Sequence, residues 1–426
     1  MLLPDRAAPA GADERIVGLA TVPGVGGITM GTRTWVRAVL ATATIAVTAV
    51  ACSVAPPHNS GGGGVGGGEE PTTPAGDDAV QLNELQFIGS HNSYHVAPEP
   101  PVLGWLSFLA NAVPDVASAL GDPQQLNYTH APLTTQLQRG IRSFELDVAA
   151  DPAGGTFSRP LLIELLDLPV QRPTGLDQPG MKVLHIQDID WRSTCPTLIG
   201  CLEELKAWSD DQPDHLPVII NVELKEDRLP APFDATQITP FDAAQLDALD
   251  AEIRSVLGDR LITPDDVRGD AADLRTAVTT EGWPTVAESR GRFLFFLDNA
   301  DVRGRYLEGH PSLAGRVLFT SSGEGEPDGA VVKENEPGDG SRLRSLVEQG
   351  YLVRTRADAD VVSPDPAERD VALASGAQIV HTDFPPGESA VGSGYVVTFG
   401  TRVAARCNPV LTTAQSCAPA VAVESP

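Results

Sequence analysis

Positive charge is scarce in this chain. Thirty Lys and Arg face 57 Asp and Glu, for a net charge of −27 at neutral pH. Residues 1–51 hold four arginines and three acids, so the acidic excess belongs to the remainder. Such a surface repels nucleic acid and anionic headgroups at long range. An anionic substrate must therefore meet a local cationic site, and a divalent cation is compatible with the balance. Cysteine is also scarce, with five in 426 residues and no Cys-x-x-Cys spacing to suggest zinc or redox chemistry. No Gly-rich dinucleotide fingerprint follows the first apolar run, which disfavours an open doubly wound sheet. No internal repeat is visible. Disorder throughout is excluded, because 42% of residues are hydrophobic, enough for a packed core.

The amino-terminal part reads as targeting sequence. Arg33 and Arg37 precede a short apolar stretch rich in Ala, Val and Thr. It is too short and too weakly apolar for a membrane span. It ends in Ala49-Val50-Ala51-Cys52, small residues directly before a cysteine, similar to the lipobox of bacterial lipoproteins. Lipidation at Cys52 is expected, with an ordinary secretory signal cut near Ala51 as the alternative. Translation starting at Met30 is a further expectation. Residues 52–79, rich in Gly and Pro, read as a flexible tether. The expected product is exported and either anchored to the outer face of a bacterial cell membrane or secreted. Export permits disulfides, and the simplest of three connectivities pairs Cys195 with Cys201 and Cys407 with Cys417.

From residue 80 onward, short apolar runs alternate with amphipathic stretches. Strands are predicted at 85–88, 141–148, 181–186, 218–222, 292–297, 316–319, 352–355 and 378–381. Helices are predicted at 133–139, 198–210, 241–257, 341–349 and 366–375. Segments 99–128 and 151–180 read as inserted loops. Short runs rich in Val and Ile suit strands buried on both faces. Eight of them alternating with helices predict an α/β fold, a TIM-type (β/α)8 barrel with distortion allowed. Residues 80–426 then form one catalytic domain with a disulfide-bearing tail.

In such a barrel, chemistry sits where strands end. The first predicted strand runs into His91-Asn92-Ser93-Tyr94, the second carries Glu145 and Asp147, the third ends at His185, and the fourth at Glu223. Glu145 and Asp147 are two apart and share a face. Two carboxylates side by side in a core need a counter-charge. With Asn92 and Glu223 they offer one neutral and three anionic oxygen ligands, a set that suits calcium better than magnesium. Taken singly, each residue is more simply a surface ion pair or a structural histidine. Zinc on His91 and His95 is disfavoured because no helix pattern supports that spacing. Co-occurrence at four successive strands carries the functional reading.

The ordered set resembles the calcium-dependent phosphoinositide-specific phospholipases C, bacterial type. The resemblance rests on His91-Asn92-Ser93-Tyr94, Glu145-x-Asp147, His185 and Glu223. Residues 133–147 and the Arg406-Cys407-Asn408-Pro409 tail add to it. It implies Ca2+ held by Asn92, Glu145, Asp147 and Glu223, and catalysis by His91 and His185. It implies cleavage of phosphatidylinositol to diacylglycerol and a cyclic inositol phosphate or its hydrolysed form. Lys225, Lys333, Arg354 and Arg356 are the candidate cations for phosphate or ring hydroxyls. There is no pleckstrin-like or C2-like sequence, so unphosphorylated phosphatidylinositol is the expected substrate. The expected partners are that lipid and a membrane surface reached through the anchor. No nucleic acid is expected, and the chain should be a monomer.

Two other readings compete. Glycerophosphodiester phosphodiesterases and sphingomyelinase D also use a barrel with histidine pairs, but the former typically show His-Arg-Gly where this chain has His91-Asn92-Ser93. A non-catalytic headgroup-binding lipoprotein is the reading from another class. The intact set of two histidines and four ligands argues against it.

Overall fold

The structure is a computed structural model and describes residues 79–112, 121–167, 170, 173–227, 235–400 and 403–411. Cys52 and Cys417 lie outside the described residues.

Eleven strands are described: β1 (Leu85–Ser90), β2 (Ser143–Asp151), β3 (Gly180–Val183), β4 (Val218–Leu224), β5 (Leu261–Ile262), β6 (Phe293–Leu297), β7 (Leu318–Ser321), β8 (Gly329–Lys333), β9 (Leu352–Arg356), β10 (Ile379–Thr382) and β11 (Arg406–Cys407). Parallel pairing runs β1, β10, β9, β8, β7, β6, β4, β2 and returns to β1, which closes a barrel of eight strands. The expected TIM-type fold is therefore present. Its strands are buried on both faces: all five residues of β6, Phe293–Leu297, are buried, as are all nine of β2.

One predicted strand is misassigned. The run at 181–186 does not enter the barrel. Gly180–Val183 pairs antiparallel with the far half of β2, with Val183 opposite Val148. The eighth barrel strand is β8, a five-residue run ending at Lys333 that sequence reading left unplaced. β11 is antiparallel to β1 and ties the carboxy-terminal tail to the barrel. β5 continues β6's edge below β7. Segments 99–128 and 151–180, expected as loops, contain the helices Pro100–Ala112 and Leu161–Leu166.

The outer helices follow from pattern and capping. Helix Ala243–Leu257 buries Leu246, Leu249, Ile253 and Leu257, one face at helical spacing, and Asp242 caps it by accepting from Gln245 N at 3.0 Å. Each such leucine stabilises the fold by about 1.5–3 kcal/mol. Helix Leu198–Asp211 is capped in the same way by Thr197. Cys195 and Cys201 form the expected disulfide, just before and within this helix.

Candidate active site

The barrel's carboxyl ends gather the predicted residues. Parallel register places Gly89 beside His381 and Ser90 beside Thr382, so His91 leaves β1 next to Asp383. His91 Nδ1 donates to Asp383 Oδ1 at 2.7 Å. The other Asp383 oxygen accepts from Arg356 Nη2 at 2.8 Å. Burial pushes the Asp383 carboxyl up, but His91 and Arg356 outweigh it and hold it well below the usual carboxylate range. Fixed at Nδ1, the His91 ring turns Nε2 toward the site, 3.5 Å from Glu145 Oε1 and 3.3 Å from Arg356 Nη1.

β2 and β4 carry the carboxylates. In their register Asp147 lies opposite Glu223 and Glu145 opposite Asn221. Oxygen atoms of Glu145, Asp147 and Glu223 all lie within 4.8 Å of one another. Glu145 Oε2 accepts from Arg354 Nη2 at 2.5 Å and Asn221 Nδ2 at 3.0 Å, and lies 3.0 Å from His381 Nδ1. Burial would raise this carboxyl, but Arg354, His91 and His381 hold it well below its ordinary value. Asp147 differs: burial pushes its carboxyl well up, Lys225 opposes this, and Glu223 and Glu145 add to the rise. Asn92 sits in a left-handed backbone conformation (φ 45°), and its Nδ2 donates to Tyr128 Oη at 2.9 Å.

These residues fit a hard cation. Among the described residues, the buried Asn92 Oδ1 and Asp147 Oδ1 accept no hydrogen bond, and Asp147 Oδ2 meets only an ammonium. An unpartnered buried acceptor is costly unless something positive meets it. Lys225 Nζ stands 3.2 Å from Asp147 Oδ2 and 2.9 Å from Glu223 Oε1, and gives partial neutralisation. Three carboxylates and an amide carbonyl are a calcium-type donor set.

His185 arrives differently. It follows β3, outside the barrel, and its Nδ1 donates to Asp190 Oδ2 at 2.8 Å. The same oxygen accepts from His95 Nε2 at 2.8 Å. The His95, His185 and Asp190 trio could in principle hold a metal. Its nitrogen–oxygen separations of 2.8 Å are, however, those of hydrogen bonds.

The four candidate substrate cations are all paired. Lys225 serves the carboxylates, and Lys333 pairs with Asp298. Arg354 is 1% exposed and bonds Glu145 and Asn335, so it props the cluster from inside the barrel. Only Arg356 both borders His91 and keeps a buried Nε without a partner among the described residues.

Sequence reasoning gave no site role to Asp383, His381, Asp190, His95 or Asn221. The His381-Thr382-Asp383 run at the last strand end was the available signal for the first two. His381 is wholly buried and pushed down to about 4 by burial and by Arg354. It therefore stays neutral, with Nδ1 between Glu145 Oε2 at 3.0 Å and the Arg354 Nε–H at 3.3 Å, and Nε2 2.9 Å from Ser143 Oγ.

A family model for Ca2+-dependent phosphoinositide phospholipase C matches residues 80–409. No curated protein matches the chain. Similar solved structures include a calcium-dependent phosphoinositol-specific phospholipase C from the Gram-negative bacterium Pseudomonas sp., in its apo form. That structure is 16% identical, covers 75% of this chain and 95% of its own, and has a TM-score of 0.46. A Ca2+-dependent phosphatidylinositol-specific phospholipase C from Streptomyces antibioticus is 18% identical over 72% of this chain and 95% of its own, TM-score 0.45. The phosphatidylinositol-specific phospholipase C from Listeria monocytogenes is 16% identical over 73% and 92%, TM-score 0.36. The family match spans every barrel strand and every residue of the carboxylate and histidine clusters, and the chain is thus an enzyme of the Ca2+-dependent phosphoinositide phospholipase C family.

Proposed function

We propose that the chain cleaves phosphatidylinositol to diacylglycerol and a cyclic inositol phosphate, with His91 and His185 as its acid–base residues and Asn92, Glu145, Asp147 and Glu223 as Ca2+ ligands. The observation that carries this reading is the pair of unpartnered oxygens, Asn92 Oδ1 and Asp147 Oδ1, set among three carboxylates and beside a carboxylate-backed His91. When bound, calcium supplies acidification of the attacking hydroxyl and neutralisation of charge on the phosphoryl group.

The residues divide the remaining work. The inositol ring hydroxyl attacks phosphorus, and its proton passes to a cluster carboxylate. Glu145 is buried with one oxygen engaged by Arg354, Asn221 and His381, whereas Glu223 stands at the open rim of the cluster, which favours Glu223. His91, locked at Nδ1 by Asp383, donates from Nε2 to a non-bridging phosphate oxygen. The bond from phosphorus to the glycerol oxygen then breaks. His185, locked at Nδ1 by Asp190, gives its Nε2 proton to that oxygen, which completes diacylglycerol. Arg356, beside His91, is the cation best placed for phosphate. We further propose export as a lipoprotein, with lipid on Cys52 and residues 52–79 as tether to a monomeric catalytic domain at 80–426. The sequence at 33–52 supports this.

The test is release of water-soluble inositol phosphates from phosphatidylinositol micelles, with calcium and with a chelator. Calcium-dependent release that disappears in His91→Ala is expected. Glycerol phosphate with free alcohol as product would instead support the glycerophosphodiesterase reading.

A further inference from the structure

His95 lies three residues beyond Asn92 and is wholly buried. Its backbone N–H donates to Asn92 O at 2.8 Å, and an antiparallel bridge joins it to Ser193. Both ring nitrogens meet acceptors. Nε2 is 2.8 Å from Asp190 Oδ2, and Nδ1 is 3.0 Å from the Tyr128 carbonyl oxygen. The carbonyl can only accept, so Nδ1 donates to it, and Nε2 is left at hydrogen-bond distance from the carboxylate. The ring also stacks on Tyr128, centroids 4.3 Å apart, and meets His185 edge-on at 5.7 Å.

We propose that His95 is a positioning residue for the reaction: it fixes Asp190, and through Asp190 it fixes the ring of His185. The reason lies in how little else holds Asp190. It sits on a turn outside the barrel, closed by its own backbone bonds with Ile186 at 2.9 and 3.1 Å. Its Oδ1 has no partner among the described residues, so the shared Oδ2 carries all of its directed contacts. One oxygen receiving two rings is located by both. His95 is itself immobilised by the Tyr128 stack and the bond to the Tyr128 carbonyl. Tyr128 in turn accepts from Asn92 through its hydroxyl. A continuous set of contacts thus runs from the end of β1 to the ring of His185. Asp190, wholly buried, also gains a donor without which its charge would be poorly compensated.

The role rests on the function proposed above, and two substitutions separate it from a purely structural one. Asn places its amide nitrogen near ring Nδ1, and Gln places it near Nε2. His95→Asn therefore keeps the bond to Tyr128 and loses the bond to Asp190, while His95→Gln does the reverse. In the full chain with calcium, His95→Asn should lower kcat about tenfold or more with KM within about twofold, a part of the loss expected when an acid is removed outright. His95→Gln should stay within about threefold of the parent. Nitrogen NMR of the imidazoles gives a readout without turnover. The His185 Nδ1–H signal of the parent should persist in His95→Gln and vanish in His95→Asn. Equal losses of kcat in both variants, or a His185 Nδ1–H signal that persists in His95→Asn, would overturn the proposal. If the parent releases no inositol phosphate, the proposed function fails on its own, and the NMR signals still decide whether His95 holds Asp190.

Discussion

The two histidines proposed as acid–base residues are held by the same pair of atoms, a ring Nδ1 and a carboxylate oxygen, but by opposite architectures. His91 meets Asp383 across 292 residues of sequence, through adjacent barrel strands in fixed register. His185 meets Asp190 across five residues, within a turn outside the barrel. The first arm inherits the rigidity of a closed sheet. The second must be fastened by local contacts: His95, the bridge at Ser193, and the disulfide at Cys195. A barrel can thus deliver one precise group from strand register alone. A second group reaching in from outside needs its own scaffold.

The sharpest way to break this comparison is to remove each histidine in turn. His91→Ala and His185→Ala should each lower kcat by about 10²–10⁴-fold on phosphatidylinositol. They should part on a substrate whose leaving group is a nitrophenol-type alcohol. Such a group departs without a proton, so His185→Ala should recover most of its activity and His91→Ala should not. Recovery by His91→Ala alone would exchange the two roles. The readout is kcat on the two substrates, compared within each variant.

How much of these arms was legible beforehand follows the same division. The ends of β1, β2 and β4 were readable because each is a short apolar run that breaks at polar residues, and strand alternation puts Glu145 and Asp147 on one face. The partner of His91 was signalled only by the His381-Thr382-Asp383 run at the last strand end, because the pairing itself depends on how barrel closure sets residue 383 beside residue 91. The strand at 181–186 was misread for a physical reason. A barrel strand and an antiparallel flap are both short, apolar and buried, and periodicity cannot separate them. β8 was passed over because Gly329–Lys333 follows a run of Gly, Glu, Pro and Asp that reads as loop. Lys333 was singled out as a cation without its strand. Arg354 was taken for a substrate ligand, but burial turns it into the internal counter-charge of Glu145. Charge alone does not tell a side chain that faces solvent from one inside the barrel.

A second prediction measures the rigidity of the barrel arm. Gly89 on β1 has no room for a methyl group: a Cβ there would lie 2.2 Å from His381 Cδ2 and 2.8 Å from Ser143 Cβ. Both neighbours are committed, since His381 bonds Glu145 and Ser143. Gly89→Ala should therefore destabilise the fold by about 1–3 kcal/mol through overpacking, visible as a lower midpoint in denaturant. Gly104 is the control. It lies in helix Pro100–Ala112 with nothing within 4 Å of its Cβ position, so Gly104→Ala should stabilise by up to about 1 kcal/mol. Tolerance of Gly89→Ala would mean that the barrel mouth gives way where the closed sheet should not.

A loss of stability of similar size is expected at the disulfide, and it tests the outer arm. Cys195 and Cys201 close a loop of sequence separation 6. Releasing so short a loop returns little entropy to the unfolded chain, about 2 kcal/mol. Both cysteines are buried, so the paired change Cys195→Ala and Cys201→Ala avoids placing new hydroxyls in the core. The modest loss of stability should be accompanied by faster proteolytic cleavage within 184–196, with cleavage elsewhere unchanged. The bond sits between the bridge at Ser193 and the helix that begins at Leu198, so it anchors the chain that returns from Asp190 to the barrel wall. Cutting that anchor should loosen the His185 arm and leave the His91 arm as it was. Unchanged cleavage at 184–196 would show that the hydrogen bonds around His95 and Asp190 fasten the arm without covalent help, and that the disulfide serves helix Leu198–Asp211 alone.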